Sequence, residues 1–149
     1  MTDNTNKGFW ERMARIYTAF MSKNNTAYEQ ICKLSEQYID SEESVLELAC
    51  GAGQITFLMA GKSGSWEATD YSENMIIEAE KCNQGEHKCE QLRFCVQDAT
   101  NLTYEDEKFD VVGICDKNKV EIYNLENGIP STLNSSTCIN SPASFAFYK

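Results

Sequence analysis

The chain has 149 residues, 42% hydrophobic and 24% charged, the size and balance of one soluble domain able to bury a core. Its formal net charge is −10, with 13 scattered basic residues against 23 acidic ones; this excludes nucleic acid as the main partner, since phosphate neutralisation needs clustered Lys and Arg. No apolar run reaches the length of a membrane span, and the polar start, Met1 to Lys7, lacks a signal-peptide core, so no membrane partner and a cytoplasmic location are expected.

Residues 8–21 predict an amphipathic helix, with Phe9, Met13, Ile16 and Phe20 at near-helical spacing and Trp10 and Tyr17 beside them. Residues 26–39 predict a second helix, with Tyr28, Ile31, Cys32, Ser35, Tyr38 and Ile39 on one side. Trp10 and Tyr17 read as core packing, with a lid over a ligand as the alternative. After a polar connection at 40–43, residues 44–49 form a first strand apolar enough to be central. Residues 54–60 predict a helix, stopped by Gly61-Lys62-Ser63-Gly64. Residues 65–70 predict a second strand ending in Asp70. Ser72 then caps a helix with Glu73 in its first turn and Met75, Ile76, Ala79 and Cys82 on its buried face. A polar loop at 83–91 carries His87, the only histidine, which reads as a solvated residue. Leu92, Phe94 and Val96 alternate with Arg93, Cys95 and Gln97 as a third strand; an acidic loop at 101–107 leads to a fourth at 109–115.

The seven cysteines contain no Cys-x-x-Cys pair and read as free thiols. Cys82, His87, Cys89 and Cys95 are the one group with metal-ligand chemistry, and their spacing fits no common zinc pattern, so no metal is expected.

Strand and helix alternate over residues 44–115. That pattern predicts an α/β fold, a parallel sheet with helices on its faces, with ligands bound at the carboxyl ends of the strands. Glu47 to Gly53, Asp70 and Asp98 all fall there. Gly51 and Gly53 allow the backbone to approach a ligand, and the helix after them points free N–H groups at the loop. Asp70 is placed to accept from both hydroxyls of a ribose. Asp98 is placed to accept from the adenine amine, Ala99 is small enough to let the ring lie close, and Tyr71 supplies an apolar face. Together they describe an adenosine site. Helix capping is the competing role for an acid at a strand end. A dinucleotide site is the rival ligand class, but its third glycine is replaced here by Thr56. Glu47 also suits an ammonium or sulfonium group better than a pyrophosphate.

Glu47-Leu48-Ala49-Cys50-Gly51-Ala52-Gly53 resembles the first motif of the class I S-adenosylmethionine-dependent methyltransferases, and Glu67-Ala68-Thr69-Asp70-Tyr71-Ser72-Glu73-Asn74-Met75 their second. Gln97-Asp98-Ala99 resembles the adenine contact and Lys108-Phe109-Asp110-Val111-Val112 the fourth strand. Phe9 to Tyr17 resembles the opening helix of the small-molecule branch, which includes ubiquinone/menaquinone-type enzymes. The resemblance covers residues 8–115. It implies S-adenosylmethionine as cofactor, a small-molecule methyl acceptor and a Rossmann-like sheet. Glu47, Ala49, Gly51 and Gly53 would surround the methionine part, Asp70 the ribose, and Asp98 with Ala99 the adenine. Tyr17 would reach the cofactor carboxylate. Ala49 stands where many members have a glycine. No catalytic acid or base is singled out, because methyl transfer needs positioning and exclusion of water.

After Cys115 the resemblance stops. Residues 1–115 therefore read as N-terminal helices plus a cofactor-binding Rossmann-like domain, and 116–149 as an atypical tail from a truncated or frame-shifted gene. The tail offers one weak strand at Val120–Tyr123, a turn near Asn127–Pro130 and a loop-like stretch at 131–141. With about four core strands in the order 3-2-1-4, the fourth becomes an apolar edge, open to self-association unless the tail or another chain covers it. A non-catalytic cofactor-binding or interaction fragment is the alternative function, and an NAD(P)-dependent oxidoreductase a third.

Overall fold

A computed structural model describes residues 4–21, 29, 32–33, 35–85, 88–116, 122–124, 129–131 and 144–148. The Val45-Leu46-Glu47-Leu48 run has the apolar density of a strand covered on both faces, and it builds β1 (Ser44–Leu48) at the heart of the sheet. On either side lie β2 (Ser65–Asp70) and β4 (Val111–Asp116), both parallel to it, with Leu46 opposite Glu67 and Val112. β3 (Leu92–Val96) continues the parallel sheet beyond β2. The order β3-β2-β1-β4 is the Rossmann-like arrangement expected from the alternation of elements.

Among the described residues, α1 (Asn4–Met21), α2 (Thr56–Met59) and α3 (Glu73–Gln84) accompany these strands. Within the expected second helix, residues 29, 32, 33 and 35 are helical and a 3-10 turn follows at Glu36–Tyr38; the rest lies outside the described residues. The helix expected over 54–60 is only one α-turn, continued by a 3-10 turn at Ala60–Lys62. Gly61 and the Ser63-Gly64 pair give it no good helix formers to continue through.

One face of the sheet carries the main core. Val45, Trp66, Ala68, Leu92 and Val111 pack there with Ile55, Met59 and Ile76, and Phe57 and Phe94 close its side with ring centroids 5.7 Å apart. The other face, on Leu46 and Glu67 by strand alternation, is crossed by the loop 101–110. A cavity of about 620 Å³ lies between that loop and the sheet, lined by Leu46, Leu102, Tyr104, Phe109 and Val112 among others.

Two expected faces are corrected. Phe9 and Ile16 are 46% and 62% exposed, whereas Ala14 is buried and packs with Ala52, Met75 and Trp10. The small Ala14 side chain allows α1 to lie close on α3 and the loop, which rotates the larger residues outward. Val96, expected inward, is 42% exposed because it ends the edge strand.

The tail supplies the cover that the fourth strand was expected to need. β5 (Ile122–Asn124), β6 (Ile129–Ser131) and β7 (Ser144–Tyr148) extend the sheet to seven strands in the order β3-β2-β1-β4-β7-β5-β6. β7 runs antiparallel to β4, from Val112 opposite Tyr148 to Asp116 opposite Ser144. The fourth strand is therefore internal, and the sheet edges are β3 and β6. Unpaired N–H and C=O groups along β4 demand such a partner, and the Ser-Phe-Ala-Phe-Tyr composition of β7 favours extended chain. The weak strand expected at Val120–Tyr123 is realised at Ile122–Asn124. Ile129 and Pro130, expected in a turn, are strand residues; residues 125–128 and 132–143 lie outside the described part.

Candidate functional site: the glycine loop and the ends of β1, β2 and β3

The loop after β1 is held at both ends by backbone. The N–H of Cys50 donates to the carbonyl of Thr69 at 2.9 Å and that of Gly53 to the carbonyl of Cys50 at 3.1 Å. Along this loop the chain turns through positive φ at Ala49 (58°), Gly51 (58°) and Gly53 (87°). A Cβ on Gly53 would stand 2.8 Å from the Phe57 ring, so this position needs glycine for space as well as for φ. Ala49 adopts the left-handed conformation without that freedom, which is the physical content of the departure from glycine there.

Asp70 joins the loop to the next helix. Its Oδ2 accepts from the Gly51 N–H at 2.9 Å and its Oδ1 from the Ser72 N–H at 2.8 Å. Ser72 caps α3 as expected, its Oγ accepting from the Met75 N–H at 3.3 Å. Burial raises the Asp70 carboxyl above its ordinary range; the N–H groups of Ser72, Gly51 and Tyr71 oppose this, and the Glu11 carboxylate adds to it. Each carboxylate oxygen has a second lone pair, so the side chain can brace the loop and still accept from a diol.

Glu47 is fully buried, 1% exposed, on the same sheet face as Trp66. Its Oε2 accepts from Thr56 Oγ1 and from Trp66 Nε1, both at 2.7 Å. Its Oε1 has no hydrogen-bond partner among the described residues. Burial is the main cause pushing this carboxyl up to about 7; the two donors pull it down, and Asp70 raises it further. Thr56, the residue in place of a third glycine, is thus a ligand to Glu47.

The N–H of Gln97 donates to the Asp70 carbonyl at 3.0 Å, so the segment with Asp98 and Ala99 leaves the sheet beside Asp70. Asp98 Oδ1 accepts from both the N–H and the hydroxyl of Thr100, at 2.9 and 2.7 Å. These two bonds hold its carboxyl below the ordinary range. Ala99 is exposed and Tyr71 half-exposed. Lys7 Nζ stands 4.7 Å from the Tyr71 ring centroid. The structure therefore places Glu47, Ala49, Gly51, Gly53, Asp70, Tyr71, Asp98 and Ala99 along one end of the parallel sheet. Tyr17 lies on α1, but its side chain is outside the described part, as is His87.

Three contributors were not singled out by sequence. Trp66 holds Glu47, and its position on a strand signalled only burial. Glu11 docks α1 onto α3: its carboxylate accepts from the N–H groups of Glu73 and Asn74 at 2.9 and 3.2 Å. That contact spans 62 residues, and no local pattern encodes it. On the opposite sheet face, Tyr104 donates to Glu67 Oε1 at 2.6 Å, with Cys95 beside both and Lys108 Nζ 3.6 Å from Glu67 Oε2. Among the described residues no group of three His, Cys, Asp or Glu side chains is placed to hold a metal ion.

The family model described as "Methyltransferase domain" matches residues 39–138. A protein of Bacillus subtilis named "Putative methyltransferase YqeM" is 31% identical over 106 residues, 71% of this chain and 41% of that protein. A demethylmenaquinone methyltransferase of Lactobacillus johnsonii is 30% identical over 79 residues, 51% of this chain and 32% of that protein. The chain thus spans less than half the length of these curated relatives. Among solved structures, the DhpI-SAH complex superposes with a TM-score of 0.58 at 19% identity, over 83% of this chain and 74% of that one. At that identity the likeness is one of fold.

Proposed function

Because the chain belongs to the methyltransferase domain family, we propose that its glycine loop binds S-adenosylmethionine and that it serves methyl transfer to a small molecule in the cytoplasm. The observation that carries this reading is the bracing of the glycine loop by Asp70, through Oδ2 on Gly51 and Oδ1 on Ser72. A ribose acceptor and the loop for the methionine part are thereby held in one rigid relation.

The cofactor fits the residues present. Gly51 and Gly53 bring backbone close to it, Ala49 starts the turn, and Glu47 supplies negative charge for its ammonium and sulfonium groups. Asp70 would take the ribose diol, Asp98 and Ala99 the adenine edge and Tyr71 the adenine face; Tyr17, on α1, is assigned to the cofactor carboxylate by family resemblance alone. When bound, the cofactor supplies an electrophilic methyl group on sulfur. The residues of this chain bind, orient and exclude water, which is what an in-line displacement requires of a protein. The net charge of −10 favours a neutral or cationic acceptor. Cys32, Cys50, Cys82, Cys89 and Cys95 form no disulfide, which suits a reducing compartment. Residues 1–115 form the cofactor-binding unit in this reading, and 116–149 an appended segment that extends its sheet.

Titration calorimetry with S-adenosylhomocysteine and with NAD tests the proposal. Binding of the former alone, lost in Asp70→Ala, is the expected result; equal binding by Asp70→Ala overturns the ribose role, and binding of NAD alone overturns the cofactor assignment. One observation favours cofactor binding without transfer: the chain spans only 41% and 32% of the lengths of its two curated relatives. Methyl transfer from radiolabelled cofactor to a panel of quinols, amines and phenols separates the two readings.

A further inference from the structure

We propose that Glu47 is a positioning residue that gives up a proton when the glycine loop takes up a cationic cofactor. The inference rests on the cofactor reading above and concerns a side chain that, by its burial, acts on the loop from below.

The geometry is asymmetric. Both donors, Thr56 Oγ1 and Trp66 Nε1, converge on Oε2, and Oε1 is left alone in a fully buried position. An ionised carboxylate with one bare oxygen in the core is far more costly than a neutral one. Below about pH 7 burial therefore favours the neutral carboxyl, with Oε1 the oxygen that no donor occupies.

The charged and titratable groups around Glu47 reinforce this. From the end of β2, Asp70 acts on it as a second acid. From the helical segment at 32–33, the Cys32 thiol is raised to about 12 by burial first and by Glu47 second. Lys62 and Glu36 also act on Cys32, and they pair with each other at 3.0 Å. α2 contributes the uncharged Thr56, and β4 places Gly113 opposite Glu47, without a side chain. No cation among these groups contacts Glu47.

Were Gly51 and Gly53 to hold a cofactor with ammonium and sulfonium charge, that charge would favour the Glu47 carboxylate. The Oε1–H bond breaks, the proton passes to solvent, and the ionised Oε2 draws more strongly on Thr56 and Trp66. Thr56 begins α2 three residues after Gly53, so the loop is tightened from beneath as the ligand arrives.

Trp66 reports the event. The chain has two tryptophans, so a Trp10→Phe background isolates it. In the cofactor-free protein, Trp66 fluorescence is expected to show one transition near pH 7 that disappears on adding Glu47→Gln. Circular dichroism melts confirm that this isosteric variant is folded. Calorimetry with S-adenosylmethionine at pH 6, in buffers of different ionisation enthalpy, should show about one more proton released by the wild-type residue than by Glu47→Gln. The wild-type to variant affinity ratio should rise about tenfold from pH 6 to pH 8; the ligand's own amino group titrates in both proteins and cancels. A Trp66 transition that persists in Glu47→Gln overturns the assignment. Equal proton release by both proteins overturns the proposal while leaving the cofactor reading intact; absence of binding by either overturns that reading and the linkage with it.

Discussion

The N–H of Gly51 donates to Oδ2 of Asp70 at 2.9 Å, across nineteen residues of chain. The loop after β1 and the end of β2 are therefore one mechanical unit. Asp70→Ala leaves the Gly51 and Ser72 N–H groups without their acceptor. It should cost about 2 kcal/mol in urea unfolding, the range for bonds to a charged acceptor. S-adenosylhomocysteine binding should weaken at least tenfold by calorimetry, on the order of 1.4 kcal/mol. Asp70→Asn should recover part of the stability, since its one carbonyl oxygen serves one N–H, without recovering the affinity.

Glu47 makes the cofactor-free fold less stable as pH rises. Its folded-state pKa, about 7, lies above the ordinary glutamate value of 4.5, so the native state holds more protons than the unfolded one between these values. Unfolding free energy should fall as pH rises through that window, on the order of 3 kcal/mol, and level off above pH 7. Urea unfolding at pH 5, 6, 7 and 8 measures the slope. Glu47→Gln should flatten this component.

Ala49 sits at φ 58° with a Cβ that the left-handed region disfavours. Ala49→Gly removes that cost and loosens the unfolded chain, two opposed effects. The balance should favour glycine by about 0.5–1 kcal/mol, read as a raised urea midpoint with an unchanged slope.

Tyr104 holds Glu67 in its ionised form. Burial pushes the Glu67 carboxyl up, but hydrogen bonds from Tyr104 and Cys95, together with Lys108, outweigh it and hold the pKa below the ordinary value. The stabilisation is thus present above the unfolded-state pKa and lost as pH falls through the folded one. Tyr104→Phe should cost about 1 kcal/mol at pH 7, after discounting for solvent screening, and progressively less as Glu67 is protonated in acid. Paired urea curves at pH 7 and pH 3 check both parts.

Glu11 caps α3 from a distant element. Glu11→Ala frees the N–H groups of Glu73 and Asn74, and a lost N-terminal cap costs about 1 kcal/mol. Amide hydrogen exchange at Glu73 and Asn74 should accelerate. Asp70, relieved of the Glu11 charge, should titrate lower, which carbon-detected NMR of its carboxyl can follow.

Sequence by itself determined the parallel β-α-β frame and the glycine loop. Both are encoded locally: apolar runs of strand length, glycines where φ turns positive, and Ser72 one residue before its helix. Asp70 and Asp98 were legible for the same reason, since an acid at the end of a strand is placed by that strand. Tertiary structure alone decided which atoms those residues use. Glu47 reads as a loop charge in sequence, yet packing puts it under the loop, with Thr56 and Trp66 on one oxygen. The aromatic side of α1 reads as buried, yet docking through Ala14 and Glu11 turns Phe9 and Ile16 outward. The tail lacks periodicity over most of its length, yet the open backbone of β4 selects Ser144–Tyr148 as its partner. Side-chain hydrogen bonds and strand pairing join residues far apart in the chain, so they depend on where the frame brings those residues rather than on their neighbours in sequence.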